Sequence, residues 1–206
     1  GAGTMTDGTY DMIILCLHHR IAVQMVQEAL PKIPAGTILV DTCGLKGRMV
    51  RDLTYRCQKA GVRYVGTHPM AGREKNGYYA SIPDLFQNAN LIVTPVDGTD
   101  EAALDTVKEL AKQMGFGKIV TATPMWHDNM IAYTSQLAHV VSSSYVKDFC
   151  MDDALSFSGG SFQDMTRVAT MDESMWALLF LDNRDNLLYH LDLLIENLTD
   201  YRDALK

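Results

Sequence analysis

The 206-residue chain lacks most of the signatures that assign a function quickly. Cysteine is sparse: Cys16, Cys43, Cys57 and Cys150 form neither a CxxC pair nor a zinc-type spacing. This argues against a disulfide scaffold and a metal module, and it predicts reduced thiols in a cytoplasmic protein with no metal site. Positive charge is in deficit, with 18 Lys and Arg against 25 Asp and Glu, a formal net charge of −7. Without a basic stripe to neutralise phosphates, nucleic acid is not the expected partner. No apolar run approaches the ~20 residues of a membrane helix, and the N-terminus has no charged-then-apolar leader. Finally, no G-x-G-x-x-G follows a strand pattern. The opening GAGTM (Gly1–Met5) has no strand before it and no third glycine.

What is present is apolar substance, 47% of residues, enough for one well-buried domain or two small ones. YDMIILCL (Tyr10–Leu17) is a continuous apolar run, the pattern of a strand buried on both faces of a parallel sheet. A helical pattern follows around Ile21–Ile33, then a strand GTILVD (Gly36–Asp41). Arg48–Lys59 reads as a helix with Met49, Val50, Leu53 and Cys57 on one face and Gly61 as its stop. VRYVGTH and ANLIVTP make further strands, Thr99 or Asp100 caps a helix to Met114, and GKIVTAT is a fifth strand. Strand–helix alternation of this kind predicts a parallel α/β sheet. From Thr123-Pro124 onward only helical patterns occur: a long helix to about Phe149, a Gly159-Gly160 turn, a short helix, a Trp-bearing helix from Glu173 and a final long helix. The expected domains are therefore 1–123 and 124–206. The last helix carries Leu187, Leu191, Leu194, Leu198, Tyr201 and Leu205 at steps of four and three, a seam that suits either a partner helix or an internal bundle core.

Open α/β sheets place function at the carboxyl ends of their strands. Parallel strands would set LCLHHR, VDTCGLKG and THPMAG along one rim, with His18, Thr42, Cys43 and His68 facing a common crevice. The residues alone leave His68 evenly balanced between a catalytic group and a hydrogen-bonded loop residue. In the helical part, Asp128, Ala132, Ser135 and His139 recur at steps of four, three and four, so a regular helix would align them on one face. Ser161 and Asp164 resemble a capping box, and Asp164 and Arg167 are i,i+3 neighbours. Their pairing reads either as a surface ion pair of little worth or as an arginine held ready to clamp a carboxylate. Cys43 ranks low as a nucleophile because no spacing supplies it with a base.

Taken in order, DTCGLKG, THPMAGREKNG, HDNMIAYTSQLAH and GGSFQDMTRVA, with MWALLFLDN beyond them, closely resemble the prephenate/arogenate dehydrogenase family of tyrosine biosynthesis. The resemblance covers nearly the whole chain. It implies a partial Rossmann-like, parallel-sheet α/β domain followed by an all-helical substrate-binding and dimerisation domain, the 6-phosphogluconate-dehydrogenase-like architecture. It also implies oxidative decarboxylation of prephenate (or arogenate) with NAD or NADP, in a homodimer open to feedback by tyrosine. His68 matches the family's catalytic base, a task that suits a neutral imidazole near pH 7. Arg167 matches the arginine that holds a substrate carboxylate, His139 and Ser135 match substrate-side positions, and Gly160 matches a close-approach glycine. Glu74 and Asp164 match acidic partners of Arg167. Leu17, His18, Thr42 and Cys43 fall on the cofactor side.

The match has departures. Gly44 stands where many members carry a serine near the catalytic histidine, Gln136 where some carry histidine, and Arg73 where others have a small hydroxyl residue. The missing glycine-rich loop implies a chain that begins just before the fourth strand of its domain, short by on the order of 60 residues of βαβ structure. Binding of NAD(P) is then expected to be impaired. Two other readings remain at this point: a non-catalytic aromatic-acid-binding or regulatory module, and another 6-phosphogluconate-dehydrogenase-like enzyme, against which GG-x-F-x-D-x-T-R argues.

Overall fold

A computed structural model describes residues 9–72, 79 and 81–206 and divides the chain into two units, Gly1–His127 and Asp128–Lys206. The first is built on one sheet whose strands lie in chain order: β1 (Met12–Leu15), β2 (Ile38–Asp41), β3 (Arg63–Pro69), β4 (Asn90–Val93) and β5 (Lys118–Thr121). β1, β2 and β3 run parallel, with Met12 opposite Ile38 and Ile38 opposite Arg63. The sheet is not parallel throughout. β4 meets β3 antiparallel, Thr67 opposite Val93 and Pro69 opposite Leu91, and β5 runs parallel to β4. A parallel neighbour needs a crossover of about a dozen residues, most often a helix. The residues described between β3 and β4 hold no α-helix, and the chain turns back instead. Only β1, β2 and β3 therefore share a carboxyl-end rim.

Helices cover the two faces unequally. On one, α1 (His19–Ala29) and α2 (Gly47–Lys59) bury Ala22, Val26, Met49, Leu53 and Cys57 against Ile13, Leu15 and Leu39. On the other, α3 (Glu101–Gln113) lays Ala103, Val107 and Ala111 over Ile38, Val40, Val65 and Val93. The caps follow the sequence. Asp100 accepts a hydrogen bond from the Ala103 N–H at the start of α3, and Gly61 and Gly115 take the left-handed φ values of +72° and +87° just past α2 and α3. β2 is buried at all four positions, as a central strand should be. β1 is not: Ile14 is 45% exposed, because among the described residues β1 has β2 as its one strand neighbour and lies at the sheet's edge.

The expected long helix from Pro124 is interrupted. It consists of α4 (Pro124–Ile131), a π-helical segment (Ala132–Gln136) and α5 (Leu137–Tyr145). Thr123 caps it by accepting from the Trp126 N–H. α6 (Met151–Phe157), α7 (Gly160–Thr166), a 3-10 turn (Arg167–Ala169), α8 (Glu173–Asp182) and α9 (Arg184–Ala204) complete the second unit. Ser161 lies inside α7, whose N-cap is Gly159 with no side-chain cap, so the expected capping box does not form. Ala132, Leu137 and Leu187 centre the core, joined by Val140, Phe180, Leu191 and Leu194. The α9 seam thus splits: its first half is internal core, whereas Leu198, Tyr201 and Leu205 are exposed. Among the described residues no helix is long and apolar enough to cross a membrane.

Cys57 sits in the α2 core, and burial pushes its thiol from 9.0 up to about 12. Unfolding frees this thiol to ionise while the folded form holds its proton. Its stabilising contribution is therefore complete below 9.0 and is lost as pH rises toward about 12. Urea titrations over that range should show stability falling less steeply in Cys57→Ala than in the parent chain, by about 1.4 kcal/mol per pH unit.

Candidate active site

The carboxyl-end rim is organised by one buried ion pair. β2 ends on Asp41, fully buried, and Lys46 enters α2 equally buried. The Lys46 ammonium donates to an Asp41 carboxylate oxygen and to the Thr67 carbonyl of β3. The same carboxylate accepts from the Cys43 N–H at 2.9 Å and from the Tyr64 hydroxyl at 2.7 Å, while the Thr67 hydroxyl donates to the Asp41 carbonyl. Burial, with the Asp41 charge beside it, holds the Tyr64 hydroxyl well above its ordinary pKa, so it remains a donor. β2, the β2–α2 turn and β3 are thereby joined through one carboxylate. Gly66 leaves room for this closure, since a Cβ there would stand 2.7 Å from the Thr94 hydroxyl oxygen and 3.1 Å from a Val50 methyl.

His68 follows immediately on β3. Its Nδ1 lies 2.9 Å from Nε2 of His127, a buried residue on α4, with the rings tilted 63° to each other. Two neutral imidazoles at that distance share a single proton along the line between them. With that proton on His68 Nδ1, the lone pair of His68 is on Nε2, as a general base requires. If His68 then gains a proton, its positive charge strengthens the bond to His127.

The other rim residues divide into exposed and inward-tied groups. Leu17 and His18, between β1 and α1, are exposed. The Thr42 hydroxyl donates to the Leu15 carbonyl at 3.2 Å, and the Cys43 thiol donates to the Leu17 carbonyl at 3.2 Å. Both side chains thus shape the β1–α1 turn. Burial first, and the Asp41 carboxylate next, push the Cys43 thiol up to about 12, which keeps it protonated.

In the helical unit, Nδ1 of His139 lies 2.9 Å from the Ser135 carbonyl. A carbonyl only accepts, so Nδ1 carries the proton and the lone pair of His139 is on Nε2. The imidazole is stacked on Trp176 of α8 with ring centroids 3.6 Å apart. The π-helical segment breaks the single face expected of Asp128, Ala132, Ser135 and His139: Ala132 is fully buried, whereas Ser135 and His139 are half-buried. α5 packs on α7 and on the 3-10 turn that Arg167 begins. Asp164 and Arg167 are both exposed, and Gly160 borders open space, with nothing within 4 Å of where a Cβ would stand. Glu74 lies outside the described residues. Among the described residues no group of three or more His, Cys, Asp and Glu could hold a metal ion.

Residues 5–121 match the nucleotide-binding domain of prephenate dehydrogenase, and residues 123–206 match its dimerization domain. The chain belongs to the prephenate dehydrogenase family. It is 30% identical to the cyclohexadienyl dehydrogenase of Zymomonas mobilis over 202 residues, which are 95% of this chain and 68% of that protein. It is 32% identical to the prephenate dehydrogenase of Bacillus subtilis over 160 residues, 75% of this chain and 43% of that one. The crystal structure of A. aeolicus prephenate dehydrogenase in complex with hydroxyphenyl propionate and NAD+ superposes with a TM-score of 0.82 at 26% identity, covering 97% of this chain and 70% of the other. The chain is therefore an oxidoreductase of this family and carries its nucleotide-binding and dimerization domains.

A nucleotide cofactor fits the rim in part. Leu17 and His18 leave an exposed edge there, and the turn behind them is braced by Thr42 and Cys43. Five residues that support the site carry no sequence signal strong enough to mark them as supports. Lys46, five positions after a strand-terminal Asp and beside apolar Leu45, was the most legible of them. His127, Trp176 and the Gln136–Asn183 pair acquire meaning only from their partners in space.

Removing one member of a buried pair strands the other charge. Lys46→Met should destabilise the chain by about 3–5 kcal/mol, and combining it with Asp41→Asn should recover most of that loss. Urea unfolding of the single and double variants decides this; equal losses would show that the charge is not what matters.

Proposed function

We propose that this chain performs the oxidative decarboxylation of prephenate to 4-hydroxyphenylpyruvate, or the equivalent reaction on arogenate. The observation that carries the reading is the His68–His127 hydrogen bond of 2.9 Å at a strand end in a member of this family. His68 Nε2 takes the proton from the ring hydroxyl of the substrate while the C–H bond at the same carbon breaks. His127 holds the ring of His68 in the tautomer that permits this, and shares the positive charge that results. When bound, NAD(P)+ accepts the hydride. The substrate's ring carboxylate leaves as carbon dioxide, its bonding electrons closing the aromatic ring.

Arg167 holds a substrate carboxylate as a bidentate clamp, Asp164 orients Arg167 from one turn before it, and Gly160 gives the substrate close access. His139, fixed as the Nδ1–H tautomer, offers its Nε2 as an acceptor, with Ser135 beside it. Leu17, His18, Thr42 and Cys43 form the cofactor wall. Without a glycine-rich pyrophosphate loop in these 206 residues, NAD(P)+ is expected to bind this chain weakly. The working form is a cytoplasmic homodimer joined through the helical unit, whose exposed Leu198, Tyr201 and Leu205 suit such an interface. Feedback by tyrosine fits the same reading, because tyrosine presents the ring and carboxylate of the product.

Calorimetric titration with 4-hydroxyphenylpyruvate tests the substrate side. Arg167→Ala should weaken binding by about 10- to 150-fold, the worth of a charged hydrogen-bonded contact; unchanged affinity would sink the assignment of Arg167. His68→Asn should retain product binding and lower NAD+-dependent turnover of prephenate by about 10²- to 10⁴-fold. Turnover equal to that of the parent chain would remove His68 from the mechanism.

A further inference from the structure

The helical unit buries a polar device that the proposed reaction does not use. Gln136, the last residue of the π-helical segment, is 1% exposed, and Asn183, between α8 and α9, is 5% exposed. Gln136 Nε2 donates to the Leu179 carbonyl at 3.0 Å, and Gln136 Oε1 accepts from Asn183 Nδ2 at 2.8 Å. Asn183 Nδ2 spends its other hydrogen on the Asp128 carbonyl at 2.8 Å, and Asn183 Oδ1 accepts from Asn186 at 2.8 Å. The orientation of both amides is determined by this arrangement. Flipping Asn183 would set oxygen against the Asp128 carbonyl, and flipping Gln136 would set oxygen against the Leu179 carbonyl.

Gln136 closes the π-helical segment, four residues after the buried Ala132 and on its side of the helix. Leu137 N–H bonds to the Ala132 carbonyl five residues back, so the turn holds one residue more than an α-turn. Buried positions run Ile131, Ala132, then Gln136 and Leu137. One extra residue rotates everything after it by roughly 100° about the helix axis relative to an unbroken α-helix. His139 is the third residue beyond Gln136 and takes its bearing from that rotation. At the other end of the clamp, Leu179 lies one turn after Trp176 on the same helix. The clamp therefore ties α8 to the helix that carries His139 within one turn of the place where Trp176 and His139 stack.

We propose that Gln136 and Asn183 are positioning residues that fix His139. Through the π-helical turn and α8, they seat its imidazole on Trp176 and hold its Nδ1–H on the Ser135 carbonyl, so that Nε2 always presents a lone pair. This rests on the substrate-side role proposed for His139. The deciding measurement is side-chain ¹⁵N NMR of His139 in the full chain, with the ring-current shift that Trp176 imposes on it. In the parent chain, His139 should be a single Nδ1–H tautomer with strong ring-current shifts. Gln136→Met keeps length and shape but removes the amide, with both its donor and its acceptor. It should give a mixed tautomer, lose the ring-current shift, and weaken binding of hydroxyphenyl propionate by roughly tenfold. Asn183→Asp, which keeps shape and removes the two N–H donors, should do the same and serves if Gln136→Met does not fold. A folded variant that retains the parent tautomer and ring-current shift would overturn the proposal, as would a mixed tautomer in the parent chain. Should the parent chain fail to bind hydroxyphenyl propionate, the proposed function falls while the NMR arm still decides the role of the clamp.

Discussion

The first unit depends on the placement of a single buried carboxylate. Asp41 takes a charge from Lys46, a backbone N–H from Cys43 and a hydroxyl from Tyr64. These three donors come from the α2 entrance, the β2–α2 turn and β3. Taking two charges out of water costs several kcal/mol each, and well-packed apolar residues often do as well or better for stability. Stability is therefore a poor reason for the pair to be there. Its physical consequence is geometric: Lys46 also reaches the Thr67 carbonyl, one residue before His68. An apolar core tolerates small slips of one strand along another, whereas a carboxylate with three directed donors does not. β3 is held in one register at the point where it delivers its histidine.

The helical unit solves the same problem without charge. A buried amide pair, with a hydrogen-bond partner at every side-chain nitrogen and oxygen, braces a helix and the seat of a second histidine. The chemical demand explains the difference. At the rim, the backbone of β2, α2 and β3 is fixed beside His68, for which we propose proton transfer. In the helical unit, what must be fixed is the angle of one ring about a helix axis, and amides specify angles at a smaller desolvation cost than ions.

Much of the α/β fold was legible in the sequence, and the reasons are local. Val40 and its neighbours form an apolar run, Asp100 precedes a helical pattern, and Gly61 and Gly115 follow one. Each of these reports a backbone state through short-range chemistry. The reversal at β4 was not legible, since ANLIVTP reads the same in either direction and the turn back is made by the connection before it. The exposure of Ile14 was hidden for a similar reason: an apolar run does not say whether a neighbouring strand covers both of its faces. The split of the α9 seam between core and surface was hidden too, because heptad-like spacing is identical in both.

The candidate site divides along the same line. Residue types suited to catalysis or to clamping a carboxylate stand out in sequence because few residues can do that chemistry, so His68 and Arg167 could be proposed from ordered motifs. The residues that brace His68 and His139 could not. A buried lysine, a second histidine and a glutamine inside a helix are each common, and each has an ordinary explanation until its partner is known. The π-helical segment shows why this is more than a matter of missing data. A one-residue insertion in helical phase leaves no mark on composition or hydropathy, and a four-residue step from Ser135 to His139 looks sound on either side of it. The regular-helix expectation put Ala132 and His139 on one face; in the structure Ala132 is core and His139 is partly exposed against Trp176. Gln136, four residues on from Ala132, is buried with it, and its amide needs partners there. Asn183 and the Leu179 carbonyl supply them, and in doing so they draw α8 onto the helix of His139. The polar clamp thus answers the burial of Gln136: without these partners its amide would be buried unpaired.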